Sequence, residues 1–314
     1  MQLRSLLFAR RVLTAVLIIT GLQLYSQVNV GGPAAAGNIK TTGKVTDSTK
    51  NHQPLLPKMV FVAGGTFTMG GCINPGEQCD SDENPAHRVT ISGFNIAMYD
   101  VTVAQFELFI KETGYQTDAD KQGESWVYNG MHATKMKANW ACNAEGYAYH
   151  EGEKEKYPVA YVSYNDAVEY CKWLSIKTGK KYRLPTEAEW EFAARGGNKN
   201  DGCKFAGSEF IDSVAWYRQN SECNIQPVGE KAANELGLYD MSGNLWQWCN
   251  DWYGQYYYKN SPANNPKGPN SEEERVNRGG SWTGAGLNCR PGRRDSRPAG
   301  FAGNANGFRI ASDL

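Results

Sequence analysis

The sequence predicts an α+β fold rich in loops and sparse in regular elements, and three observations carry that prediction. Composition is weighted toward Gly, Trp and Tyr, with 34, 9 and 17 of them among 314 residues, a balance that suits aromatic side chains bracing irregular backbone. Three separate stretches combine a capping signal with one apolar helical face. Beyond Gly197 no helix-length periodicity and no internal repeat remain, only Gly, Asn, Pro and aromatic residues.

Taken in order, Arg4, Arg10 and Arg11 precede an apolar run from Val12 to about Leu22, followed by polar Tyr25, Ser26 and Gln27. This is a signal-peptide pattern, with cleavage expected after Ser26, so residues 1–26 are read as a leader. The run is about half the length a bilayer-spanning helix needs, and no transmembrane anchor is expected in the mature chain. The first cysteine is Cys72, too distant for a lipid-modified N-terminus. Residues 27–57 are rich in Gly, Ala, Thr, Asn and Lys without an apolar period and read as a flexible lead-in. The domain is expected over residues 58–314.

Met59 to Val62 reads as a first strand, Gly64-Gly65 as the turn into Thr66 to Met69, and Arg88 to Ile91 as a third alternating run. Thr102 with Gln105 forms a capping box ahead of Val103, Phe106, Phe109 and Ile110. A second helix follows Asn165-Asp166, buries Ala167, Cys171 and Leu174, and ends at Gly179. Thr186 with Glu189 opens a third, which turns Trp190, Ala193 and Ala194 inward and stops at Gly196-Gly197.

Lys plus Arg equals Asp plus Glu, 33 of each, so no net field draws the chain onto phosphate backbones or anionic lipid, and nucleic acid is not expected as a partner. Eight cysteines in an exported chain of this length supplement a core rather than replace it. Cys72 and Cys79 bracket a short loop that a local disulfide closes, and Cys203 with Cys223 is a second, weaker pairing. His52, His87, His132 and His150 show no ligand spacing.

The segment Arg183 to Gly197 reads Arg-Leu-Pro-Thr-Glu-Ala-Glu-Trp-Glu-Phe-Ala-Ala-Arg-Gly-Gly. Around it stand Gly64 to Gly70, Asp100 to Thr102, Val162 to Ala167, Gly237 to Trp248, Arg278 to Trp282 and Gly307 to Arg309. In sequence and order these resemble the formylglycine-generating, or sulfatase-modifying factor, family over nearly everything from Met59 onward. The resemblance implies a C-type-lectin-like variant, α+β and loop-rich, in agreement with the elements read above.

It also implies chemistry. In the family enzymes two cysteines bind copper(I), activate oxygen and oxidise a cysteine of a sulfatase peptide to formylglycine, and soft thiolates suit that ion. They stand three and eight residues beyond the serine of the Arg-Gly-Gly-Ser motif, which here gives Gly284 and Cys289. Glycine has no side chain, so the two-thiolate site does not form and copper is not expected. Cys249, after Trp248, is the one neighbour available as a spatial substitute. Cys289 and Ser281 are therefore read as vestigial or altered catalytic positions. The family's calcium site maps onto the Asp240 and Gln247 side chains and the Gly243 and Leu245 carbonyls, an all-oxygen set, so the resemblance implies structural calcium as one reading, the other being that Asp240 and Gln247 satisfy loop backbone amides.

Two functions compete. The first is an exported module that binds a peptide, glycan or protein on a C-terminal face, with Trp282, Gly284, Arg290, Arg294 and Asn304 as contacts, in the periplasm, at the cell surface or secreted. The alternative is a formylglycine-generating oxidoreductase, which Gly284 disfavours. Against a binding role for the arginines stands their usual work in loop-rich folds, hydrogen bonding to carbonyls and carboxylates, expected above all at Arg278 and Arg309. Of Trp246, Trp248, Trp252, Tyr253, Tyr256, Tyr257, Tyr258 and Trp282, at least half are expected in the core.

Overall fold

The computed structural model describes residues 55–71, 79–130, 132–150 and 152–314. The leader, most of the lead-in and Cys72 lie outside them. In chain order the strands are β1 (Met59–Val62), β2 (Gly65–Met69), β3 (His87–Ile91), β4 (Phe94–Ala97), β5 (Ser125–Asn129), β6 (His132–Met136) and β7 (Tyr182–Arg183). They continue with β8 (Ala215–Trp216), β9 (Ser242–Gly243), β10 (Trp246–Trp252), β11 (Glu274–Arg278), β12 (Arg294–Pro298), β13 (Asn306–Gly307) and β14 (Ala311–Ser312). The helices are α1 (Val103–Thr113), α2 (Asp118–Gln122), α3 (Tyr164–Thr178), α4 (Glu187–Ala194) and α5 (Ile211–Val214).

One four-stranded sheet runs β1-β4-β14-β7, all pairs antiparallel, so the C-terminal strand is inserted between β4 and β7 and ties the end of the chain to the start of the domain. A second runs β12-β11-β10-β13, with β13 parallel to β10 and a register shift in β10 between Trp248 and Trp252. β5 and β6 form a separate hairpin.

The three expected helices form, the first and third from the expected capping boxes. Thr102 and Gln105 exchange capping hydrogen bonds at 3.4 and 3.0 Å, and Gly114 ends α1 in the left-handed region that glycine adopts without strain. α3 starts earlier than Asn165, at a Ser163–Asp166 capping box, because Ser163 Oγ accepts the Asp166 N–H while Asp166 accepts the Ser163 N–H. Apolar faces of α1 and α3 meet Trp248, Phe308 and Ile310 in one buried cluster. α2 and α5 are additions, of five and four residues; a single turn shows no apolar period.

The family signature is scaffold. Glu189 completes the α4 capping box and holds Arg183 by a two-pronged bond at 2.7 and 2.8 Å. Glu187 and Glu191, four apart and so on one helix face, are both buried, and Arg278 bridges them at 2.6 and 2.5 Å. Trp246, Trp248, Tyr258 and Trp282 are buried, half of the eight aromatics named above.

Candidate functional site

The residues named as a ligand-binding face turn inward and divide into separate groups, the arginines on buried carboxylates and Trp282 with Asn304. Arg290 forks onto buried Glu83 at 2.8 and 2.7 Å. Arg294 grips Glu187 at 2.7 and 3.0 Å and is 2% exposed. Both guanidiniums are engaged within the scaffold, because burial of a charge requires a partner. They correct the expectation of ligand contacts. Ser281 is 0% exposed, and its hydroxyl shares a hydrogen bond with Thr283 at 3.0 Å. Arg278 and Arg309 are structural, as expected.

Cys289 is a free thiol with 0% exposure, sealed by Phe205, Val214 and Ala215, with Ile211 and Tyr217 packed against them. Burial pushes the thiol up to about 12, so in the absence of a metal it is protonated at neutral pH and a poor nucleophile. Cys249 lies in a different cluster, with Trp190, Met241 and Val276, and does not complete a pair with it. Gly284 sits in a turn whose N–H donates to the Ser281 carbonyl at 2.9 Å and whose carbonyl accepts from Arg218 N–H at 3.0 Å. A β-carbon there meets the Asn288 side chain at Nδ2, 3.3 Å away, a close contact that a small shift of that side chain relieves. The residues present do not fit copper(I).

The calcium set is blocked at one of its four positions, Gln247. Gln247 Oε1 accepts from Trp190 Nε1 and Arg309 Nε, both at 2.7 Å, and its Nε2 donates to the Asp240 carbonyl at 2.7 Å. Indole and guanidinium nitrogens only donate, which fixes the amide's orientation and fills both lone pairs of Oε1. A calcium ligand at Gln247 would strand two buried donors. Asp240 accepts from Gly229 N–H at 2.8 Å, and burial pushes its carboxyl up to about 6. Gly243 donates its N–H to the Gly279 carbonyl, and Leu245 packs into the cluster beneath Trp282.

Cys79 is disulfide-bonded. The pairing of Cys203 with Cys223 is not made, since both are free. Cys203 instead lies with Asp201 and Glu235, their ligand atoms within 4.8 Å of one another.

Concavity appears beside the expected face. A cleft of ≈ 430 Å³ opens over Trp282, walled by β5 and β6, by residues 144–147 and by residues 222–224. Asn304, fully buried, is its hinge pin. Its Nδ2 donates to the Tyr128 carbonyl at 2.9 Å and the Ala144 carbonyl at 2.8 Å, while its Oδ1 accepts Tyr128 N–H at 2.9 Å. The Trp282 indole N–H donates to the Asn304 carbonyl at 2.9 Å. One side chain and its own carbonyl thus fix two walls and the floor. The third wall is set by Ser221, whose hydroxyl donates to the Trp282 carbonyl at 3.1 Å. Beyond it Glu222 and Cys223 both hold left-handed backbone, φ 54° and 57°, a conformation that costs non-glycine residues about 1 kcal/mol or more each.

Exposed side chains at the cleft include Thr134, Met136, Glu145, Tyr147, Glu222 and Cys223. Of the ligand contacts expected from the sequence, only Trp282 lines it, as floor, and Asn304 positions it. The rest are single loop or hairpin residues without motif or spacing. Only the pairing of β5 with β6, a period-2 pattern too short to register, signalled them.

A family model described as "Sulfatase-modifying factor enzyme 1-like domain" matches residues 44–314. The chain is 35% identical over 317 residues to a formylglycine-generating enzyme of Mus musculus, covering 90% of this chain and 82% of that protein. It is 32% identical over 293 residues to the inactive Cα-formylglycine-generating enzyme 2 of Mus musculus, covering 82% and 86%. Among solved structures, PvdO from Pseudomonas aeruginosa superposes with TM-score 0.68 at 30% identity, covering 83% of this chain and 96% of that one. No helix among the described residues is long and apolar enough to cross a membrane.

Proposed function

Since the chain belongs to the sulfatase-modifying factor enzyme 1-like domain family, we propose that it serves as an exported ligand-binding domain that uses the cleft over Trp282 and has no copper-dependent oxidase activity. Export rests on the leader read at residues 1–26. Loss of the oxidase rests on one observation: position 284 offers no thiol, while Cys289 is walled into an apolar cluster with its proton retained. Binding rests on a cleft whose walls are held by a buried hydrogen-bonded hub, which is the preorganisation that keeps the entropic cost of recognition low.

The ligand is a peptide, a glycan or a partner protein's exposed segment. Fluorescently labelled protein on arrays of synthetic peptides and glycans tests the reading, with Tyr147→Ala as control. Tyr147 is 66% exposed, so its truncation leaves the fold intact. Retention on a subset of spots, lost in the variant, is the expected result; retention indifferent to Tyr147, or none at all, defeats it. A formylglycine-generating oxidase is the second reading, favoured by the 35% identity to the mouse enzyme.

A further inference from the structure

We propose that the cleft over Trp282 recognises an organic cation, an ammonium or guanidinium group, an inference that rests on the cleft being the binding surface. Charge at the cleft is of one sign. Glu145 and Glu222 stand on different walls, and none of the residues lining it is basic. The hairpin's alternation produces this asymmetry. Thr134 and Met136 face the cleft, while Lys135 between them points away, 2.6 Å from Glu124 and 5.6 Å above the Trp126 ring. Lys137 lines a different concavity, with Asp120 and Asn139. Arg218, on the chain leading to Glu222, gives its Nε to the Thr283 carbonyl at 2.8 Å.

Trp282, as floor, and Tyr147, on the wall that carries Glu145, line the same cleft as the two carboxylates. Aromatic rings beside carboxylates, in a depression partly shielded from water, are the chemistry that binds an alkylammonium or guanidinium through the ring quadrupole and long-range charge. A neutral hydroxyl or amide gains a hydrogen bond from Glu145 and Glu222 but no charge attraction, and an anion is repelled. The left-handed pair at 222–223 holds the second carboxylate at the rim at a cost in backbone strain.

Cys223, exposed and free at the same rim, supplies a local reporter. Its alkylation by neutral iodoacetamide, read by peptide mass spectrometry, is followed with choline or arginine amide present, and with their neutral isosteres 3,3-dimethylbutanol and citrulline amide. A small free thiol under the same conditions controls for reagent effects. Choline reports a quaternary headgroup and arginine amide a peptide side chain, so the two arms separate the sources of the cation. The cations are expected to slow alkylation of Cys223 at millimolar concentrations, and the neutral isosteres to need about 10-fold more. Glu145→Gln with Glu222→Gln, both exposed positions, should weaken protection by about 10-fold, and added salt should weaken it further. Equal protection by a neutral isostere, no protection by either cation, or an unaltered double variant overturns the proposal. Array ligands that protect Cys223 whatever their charge leave the cleft standing as the binding surface and remove only the cation. If neither they nor the cations protect it, both readings fall.

Discussion

Replacing Asn304 with alanine removes a side chain that makes three hydrogen bonds to the backbone of two other segments, at 2.8 to 2.9 Å, from a position with no solvent exposure. The variant leaves Tyr128 N–H and the Tyr128 carbonyl without partners, while the Ala144 carbonyl keeps the Tyr161 hydroxyl at 3.2 Å. A stranded buried group costs about 1–3 kcal/mol. Water admitted through the adjacent cleft recovers part of that for Tyr128, which is only half-buried, so the low end applies: about 2–3 kcal/mol in all. This is a large share of the roughly 5–15 kcal/mol that holds a domain together. Urea unfolding followed by tryptophan fluorescence should show that loss with an unchanged slope on denaturant. Native-state hydrogen exchange at Tyr128 should accelerate. Asn304→Asp should do no better, because it restores the acceptor but turns a carboxylate toward two carbonyls. A loss below about 1 kcal/mol, with exchange at Tyr128 unchanged, would refute the hub.

Three further outcomes follow from the buried polar groups. Glu187→Gln, which removes the negative charge that Arg278 and Arg294 share on that carboxylate, should destabilise by about 3–5 kcal/mol in the same assay; a loss under about 1 kcal/mol would show that the network does not hold the scaffold. Burial pushes Asp100 up to about 7 despite Arg309 Nη2 3.2 Å away. The unfolded carboxyl titrates near 3.8, so the folded state holds the extra proton between these values, and the resulting stability is present below the lower and lost as pH rises through the upper. Wild type should therefore lose on the order of 2–4 kcal/mol relative to Asp100→Asn between about pH 4 and 8, and a difference that stays flat or rises would contradict it. Because Gln247 Oε1 is fully engaged, millimolar calcium or EDTA should move the melting temperature by less than about 1 °C; a shift of several degrees would show that the amide gives up its partners for the ion.

The fold was legible wherever its determinants are local. Thr102 with Gln105 and Thr186 with Glu189 lie three residues apart, so their helices could be read directly; the single turns at 118–122 and 211–214 carry no period to read. The site was not legible, for a physical reason. Whether an arginine binds a ligand or the protein depends on its partner, and Arg290 finds Glu83 207 residues away, Arg294 Glu187 107 residues away. Sequence spacing holds no trace of either pair. Glu145, Tyr147 and Glu222 converge only because Asn304 and Ser221 draw their loops around Trp282. Gly284, by contrast, needed no structure to exclude a ligand; the structure added that Cys289 is sealed.

The most direct measurement is to incubate the purified protein with copper(I), oxygen and a peptide carrying the Cys-x-Pro-x-Arg motif, reading the peptide by mass spectrometry, with Gly284→Cys alongside because a β-carbon at 284 meets no atom closer than Asn288 Nδ2. The wild-type protein is expected to return the peptide with its cysteine intact. Conversion of that cysteine to the aldehyde by the wild-type protein, with Gly284 in place and Cys289 buried, would contradict the loss of the oxidase.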